Sequence, residues 1–207
     1  QYTTSSTVTP SISFHEIDFC SDKVYEPISE ISSYWINRCP EKPAVTAHQL
    51  GRLGNQMWEY ASAWTVAKTL DREPFTPTCI IRALEKVFHN LTAIPPLKYI
   101  EHCPIKFDHM HNMKLVEEAK GNVALQWYAQ IPQYLVPHLK EVLQLFQFHD
   151  HLVEKSQNIL RTASKGVSDI VYVSIHVRRT DYDNHLKSIY NLTMVNGDFF
   201  LRQMNYF

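Results

Sequence analysis

An α/β architecture built on a parallel sheet is predicted for this chain by three observations. A short apolar strand, Ala44 to Ala47, runs through two closely spaced glycines into a long helical pattern. Further on, Ile170-Val171-Tyr172-Val173-Ser174-Ile175 is a β-branched, near-continuous apolar run of the kind buried on both faces of a sheet. Helical segments lie between them, and strand, helix and buried strand in that order is the pattern of layered α/β domains. Composition agrees. The 207 residues are 44% hydrophobic, enough to bury a real core, and 20% charged with 12% aromatic, which is not the balance of a disordered chain.

The elements follow in order. Nine of the residues from Thr3 to Ser13 are Ser, Thr or Pro, a composition that buries no core and reads as a solvated tail or stalk. Residues 14–43 carry Cys20, Cys39 and the aromatic pair Tyr34-Trp35, and end in Cys39-Pro40 and Lys42-Pro43; this reads as an irregular linker that a disulfide could tie down. After the strand 44–47 comes Gly51-Arg52-Leu53-Gly54-Asn55-Gln56. In the helix beyond, Met57, Tyr60, Ala61, Trp64 and Ala67 share one face of a 3.6-residue period. It is expected to end near Asp71-Arg72, before Pro74. Prolines at 95, 96, 104, 132 and 137 break the next stretch into short elements. Leu139, Val142, Leu143 and Phe146 restore a helical face. Asp150 is placed to cap a further helix that would turn Leu152, Val153, Ile159 and Leu160 to the core. No internal repeat occurs.

Several function classes are excluded at this level. The formal charge is −1, with 20 basic against 21 acidic residues, so no cationic excess exists to displace counterions from nucleic acid. The longest uncharged stretch, Gly121 to Leu139, holds two prolines and four polar amides and is no membrane span. No Gly-x-Ser-x-Gly elbow occurs. His109-x-His111 and His149-x-His151 have spacing that a metal could use, but neither has a third ligand beside it, and no metal site is expected.

Two loops could carry chemistry. Gly51 and Gly54 are two of only five glycines, and they sit at a strand-to-helix turn. There the backbone can approach a ligand closely and the helix start favours an anion, although the same spacing serves an ordinary tight turn. It is neither a Walker A loop nor the three-glycine dinucleotide fingerprint. The second loop is His176-Val177-Arg178-Arg179-Thr180-Asp181-Tyr182, directly after the buried run. Ligands bind beyond the carboxyl ends of strands in open α/β sheets. Two adjacent arginines with a carboxylate to orient them can clamp a diphosphate, or simply end the strand in solvated charge.

The sequence Gly51-Arg52-Leu53-Gly54-Asn55-Gln56-Met57 resembles the opening of animal galactoside alpha-1,2-fucosyltransferases. His176-Val177-Arg178-Arg179-Thr180-Asp181 resembles the His-x-Arg-Arg-x-Asp motif shared by alpha-1,2-, alpha-1,6- and protein O-fucosyltransferases, and Leu139 to Val153 also looks like the corresponding segment. The resemblance implies an inverting, metal-independent transfer of L-fucose from GDP-fucose to a terminal β-galactoside, with no cofactor beyond that donor. It also implies a glycosyltransferase-B type fold, with two Rossmann-like halves of which the second is truncated here. The expected divisions are residues 1–45 as stem, 46–165 as an N-terminal α/β domain and 166–207 as the start of the GDP-fucose-binding domain. By the same resemblance Arg178 and Asn55 are the catalytic residues, the arginine on the β-phosphate and the asparagine facing the fucose. His176, Arg179, Asp181 and Gly54 join them in holding the donor. Glu59 is a candidate base. Thr180 stands where these enzymes usually have Gly, and Trp58 where vertebrate members often have a small residue.

The compartment implied is the Golgi lumen, with a membrane anchor outside these residues. Cys20, Cys39, Cys79 and Cys103 fit two disulfides in any of three pairings, or four buried thiols. Sequons occur at Asn90-Leu91-Thr92 and Asn191-Leu192-Thr193, little more than composition yields by chance. The start at Gln1 and the stop at Phe207 are read as those of a piece, expected to bind GDP weakly and transfer little fucose. Phe199, Phe200, Met204 and Phe207 are expected to form an uncovered helix face. Two other readings stay open. One is a fucosyltransferase for a core N-glycan or a protein hydroxyl. The other is a truncated, non-catalytic luminal binding or interaction protein.

Overall fold

The computed structural model describes residues 14–21, 34, 38–89, 91–167, 169–174, 176 and 181–204. They fall into two compact units, one ending at Ile159 and one running from Leu160.

The first unit is organised by a parallel sheet. Strand β1 (Ala44–Ala47) leads through the Gly51 turn into helix α1 (Leu53–Thr69), and β2 (Glu73–Pro74), α2 (Thr78–Leu84) and β3 (Phe88–His89) follow. Next come β4 (Phe107–Met110), α3 (Met113–Glu118), β5 (Asn122–Leu125), α4 (Pro132–Leu135), α5 (Leu139–Leu145), β6 (Gln147–Phe148) and α6 (Asp150–Ser164). The sheet order is β2-β1-β5-β4 and all its pairings are parallel, with Val45 opposite Val123 and Ala47 opposite Leu125. A separate antiparallel pair joins β3 to β6. Mixed α/β structure on a parallel sheet is therefore what the chain forms.

Strand alternation divides the core between the two faces of the sheet. Val45, Ala47, Val123 and Leu125 point to one face and pack with Val66, Ala67 and Tyr134. Ala44, Ala124 and Phe107 belong to the other, with Phe19, Phe75, Leu97 and Ile100. A third cluster gathers Tyr60, Ile80, Leu84, Phe88 and Ile94 around the Cys20–Cys79 disulfide. The predicted face of α1 is met at Tyr60, Ala61 and Ala67, while Met57 and Trp64 are only half-buried. Burial extends further, to Gln56, Glu59, Ser62, Ala63, Thr65 and Val66, because α1 is covered on more than one side. Past its end, Asp71 takes a left-handed φ of +52°. The Arg72 guanidinium donates to the Gly121 carbonyl at 2.6 Å, fastening the α1–β2 turn to the start of β5.

The disulfides are Cys20–Cys79 and Cys39–Cys103. Segment 14–21 is built into the core rather than left as a linker. Glu16 is fully buried, and one of its carboxylate oxygens accepts from the Thr78 backbone N–H and hydroxyl, both at 2.7 Å, and from the Lys98 N–H at 3.2 Å. The serine- and threonine-rich residues 1–13 lie outside the described residues.

The helical face expected over residues 139–146 is met by α5 as far as Leu145, with Val142 buried and Leu139 and Leu143 exposed. Two expectations are corrected. In α6 Val153, Ile159 and Leu160 are exposed, so the periodic face is real but uncovered among the described residues; the helix begins at Asp150 itself, one residue earlier than a cap there would place it. Residues 170–174 form no strand and are exposed, Val171 at 88%. An apolar β-branched run encodes a preference for a ladder, but a strand exists only with a neighbour to hydrogen-bond, and no described residue supplies one. The second unit otherwise holds α7 (Asp181–His185), a π-helical turn at Leu186–Tyr190 and α8 (Gly197–Met204). In α8 Phe199 and Leu201 are exposed; the side chain of Met204 and all of Phe207 lie outside the described residues.

Candidate functional site

The carboxyl ends of β1, β5 and β4 come side by side in the sheet, and the segment leaving β5 meets the Gly51 turn that follows β1. Gly51 has φ +68°, the left-handed region where a side chain is costly. A Cβ there would also sit 2.0 Å from Asn55 Nδ2 and 3.0 Å from the Tyr128 ring. The backbone of the turn calls for glycine, and the Asn55 amide lies folded into the space that a side chain would take. Gly54 is different: nothing lies within 4 Å of where its Cβ would be, so packing does not demand a glycine.

Asn55 occupies the first turn of α1, and its Oδ1 accepts from Gln130 Nε2 at 3.0 Å. This fixes the amide with its NH2 toward Gly51, as a donor at the rim of the turn. One helical turn on, Glu59 is completely buried. It accepts from the Leu50 N–H at 2.8 Å through one oxygen, while the other has no partner among the described residues. Burial pushes its carboxyl up to about 8, against the pull of the Leu50 N–H, so it is uncharged at neutral pH. A sealed carboxyl that holds the backbone before the turn is a support for the loop, not a base facing an acceptor.

Gln130 follows a feature that the sequence did not signal. Trp127, Tyr128 and Ala129 all have left-handed φ, at +59°, +64° and +36°, without a glycine among them. Each such residue costs on the order of 1–2 kcal/mol and persists only where its surroundings hold it. Here Ser62 Oγ donates to the Ala129 carbonyl at 2.5 Å, the Gln126 N–H donates to the Met110 carbonyl at 2.9 Å, and Tyr128 abuts Gly51. Trp127 is left 72% exposed, between two clefts of about 500 and 150 Å3.

Beyond β1, His48 Nε2 and His109 Nδ1 share a hydrogen bond of 2.7 Å, and Phe19 stacks on both rings. Burial and then the neighbouring His109 pull His48 down to about 4, leaving it neutral. His109 therefore pairs with a residue 61 positions away instead of with His111. Among the described residues the grouping with metal-ligand geometry is Cys39, His102 and Cys103, but the Cys39–Cys103 disulfide occupies both sulfurs.

Of the sequence-predicted site residues, Gly54 and Asn55 lie together at the start of α1. His176 belongs to the second unit and is exposed, and Asp181 is the first residue of α7. Arg178 and Arg179 lie outside the described residues. Gln130, Trp127 and Tyr128 went unpredicted because no turn residue marks them.

Comparison with known proteins gives one consistent answer. The model of glycosyl transferase family 11 matches residues 19–207. The chain is 28% identical over 169 residues to galactoside alpha-(1,2)-fucosyltransferase 2 of Pongo pygmaeus, covering 78% of this chain and 48% of that protein. To galactoside 2-alpha-L-fucosyltransferase SEC1 of Bos taurus it is 28% identical over 175 residues, 81% of this chain and 47% of that one. With the Mus musculus alpha-(1,2)-fucosyltransferase 2 it shares 33% identity over 144 residues, 66% and 41% of the two chains. The chain spans about half the length of the curated relatives it matches. No solved structure matches significantly.

Proposed function

The chain belongs to glycosyl transferase family 11, and on that premise we propose that it is the part of a galactoside alpha-1,2-fucosyltransferase that carries the N-terminal half of the catalytic region. In the reaction the acceptor's 2-hydroxyl oxygen bonds to fucose C1 as the bond from C1 to the β-phosphate oxygen breaks. GDP departs with the electron pair, the hydroxyl proton passes to solvent water, and the anomeric centre inverts. Negative charge grows on the β-phosphate, and Arg178 is the group assigned to neutralise it, with His176, Arg179 and Asp181 shaping the same loop. That guanidinium supplies the electrophile that a metal supplies elsewhere. Asn55, at the rim of the Gly51 turn, hydrogen-bonds the sugar from the other side.

The observation that carries the reading is the Gly51 turn itself. A glycine required by its left-handed φ and an asparagine amide held by Gln130 stand at the carboxyl ends of parallel strands, where α/β folds bind ligands. Golgi residence follows from the same reading; no helix among the described residues is long and apolar enough to cross a membrane, so the anchor would lie elsewhere. The test is transfer from GDP-fucose to a panel of β-galactosides, N-glycan cores and protein acceptors by the complete protein. Arg178→Ala is expected to lower kcat by about 10²–10³-fold, as loss of a transition-state donor does. A near-normal kcat would remove Arg178 from its role, and transfer only to a protein or a core N-glycan would replace the acceptor assignment.

A further inference from the structure

We propose that Trp127 is a sugar-binding platform, on whose exposed indole face the terminal galactoside of the acceptor stacks. The inference rests on the fucosyltransferase reading for the identity of the sugar, but its geometry is independent of it. A tryptophan that is 72% exposed gains nothing from burial, yet three successive left-handed residues are held strained to present it. Its neighbours are mostly uncharged hydrogen-bonding groups: His48, Gln49 and Gln126 beside one cleft, with Asp18 its single carboxylate, and Gln130 and Gln133 beside the other.

Neither cleft is lined by a lysine or arginine among the described residues, so neither offers a counter-charge to a diphosphate. Neutral polyhydroxylated rings fit this chemistry. One face of a galactose ring presents C–H groups of slight positive charge to the negative π face of the indole, while amides and imidazole meet its hydroxyls. Tyr128, against Gly51, ties the platform to the turn that bears Asn55, so a sugar on Trp127 is next to the amide assigned to the fucose.

The experiment compares the complete protein with Trp127→Gly and Trp127→Phe, using lactose as probe. Lactose affinity is measured by calorimetric titration, acceptor and donor KM by transfer assay, and Tm by thermal unfolding. Glycine suits a φ of +59°, so Trp127→Gly is expected to hold or raise Tm while weakening lactose binding and raising acceptor KM by about tenfold or more. Trp127→Phe is expected to restore most of the affinity. Lactose binding that is absent in the wild type, or equal in wild type and Trp127→Gly, overturns the platform. So does a fall in Tm that accompanies the loss and is not rescued by phenylalanine. Binding that depends on Trp127 without any fucose transfer supports the platform and overturns the transferase reading instead.

Discussion

Glu16 shows how one residue fixes a segment. Its buried carboxylate gathers three donors from α2 and from the Lys98 turn, and its own N–H donates to Glu101 at 2.8 Å. Glu16→Ala strands the Thr78 and Lys98 donors in the core and is expected to cost about 3 kcal/mol, read as a lowered denaturation midpoint. Glu16→Gln keeps an acceptor oxygen and should cost less; equal losses would mean that packing, not hydrogen bonding, is at stake. Glu59 gives a pH-dependent prediction. Its folded pKa of about 8 stands above the unfolded value, so the folded state holds more protons between pH 4.5 and 8. Stability therefore falls as pH rises through that window, at up to about 1.4 kcal/mol per pH unit. Glu59→Gln, which keeps the acceptor for Leu50 and removes the proton, should flatten the slope. An unchanged slope would assign the titration to another group.

At the scale of elements, the first unit is a sheet whose edges and leading segment are stapled. The Cys20–Cys79 bridge spans 59 residues and Cys39–Cys103 spans 64. Loops of that length are each worth about 4 kcal/mol in the chain-entropy account. Removing one pair, Cys20→Ser with Cys79→Ser, should lower Tm by about 2–4 °C for each kcal/mol lost. Thermal unfolding under oxidising and reducing conditions reads this directly, and a Tm indifferent to reductant would mean the bridges do not form. The Trp127–Ala129 turn has no covalent staple. It is held by Ser62, by the β4 carbonyl and by Tyr128 against Gly51, contacts that reach across the sequence and so leave no local mark.

For the whole molecule, the sheet's carboxyl edge collects the Gly51 turn, the Trp127 turn and the His48–His109 pair on one side of a single unit. Each element taken alone reads as ordinary: a tight turn, a short loop, a pair of histidines. Their adjacency makes a candidate acceptor face, and the division of labour proposed above assigns the donor's charge to the loop around Arg178. The two assignments separate in kinetics. Changes at Trp127 should act on acceptor KM, and changes at Arg178 on kcat.

The sequence by itself determined the family, the strand 44–47, the helix it feeds and the glycine turn between them. Those signals are local: apolar periodicity, a glycine that a left-handed φ demands, and motif residues in fixed order. It also marked the apolar runs at 139–146, 150–160 and 170–174, but not their fate, because burial belongs to whatever packs against a face and a strand belongs to its neighbour. Only the tertiary structure chose one disulfide pairing from three, drew segment 14–21 into the core through Glu16, and paired His109 with His48. It alone raised Trp127 on a strained turn beside Asn55. Each of these is a contact between residues tens of positions apart, and its energy depends on distances that no local pattern encodes.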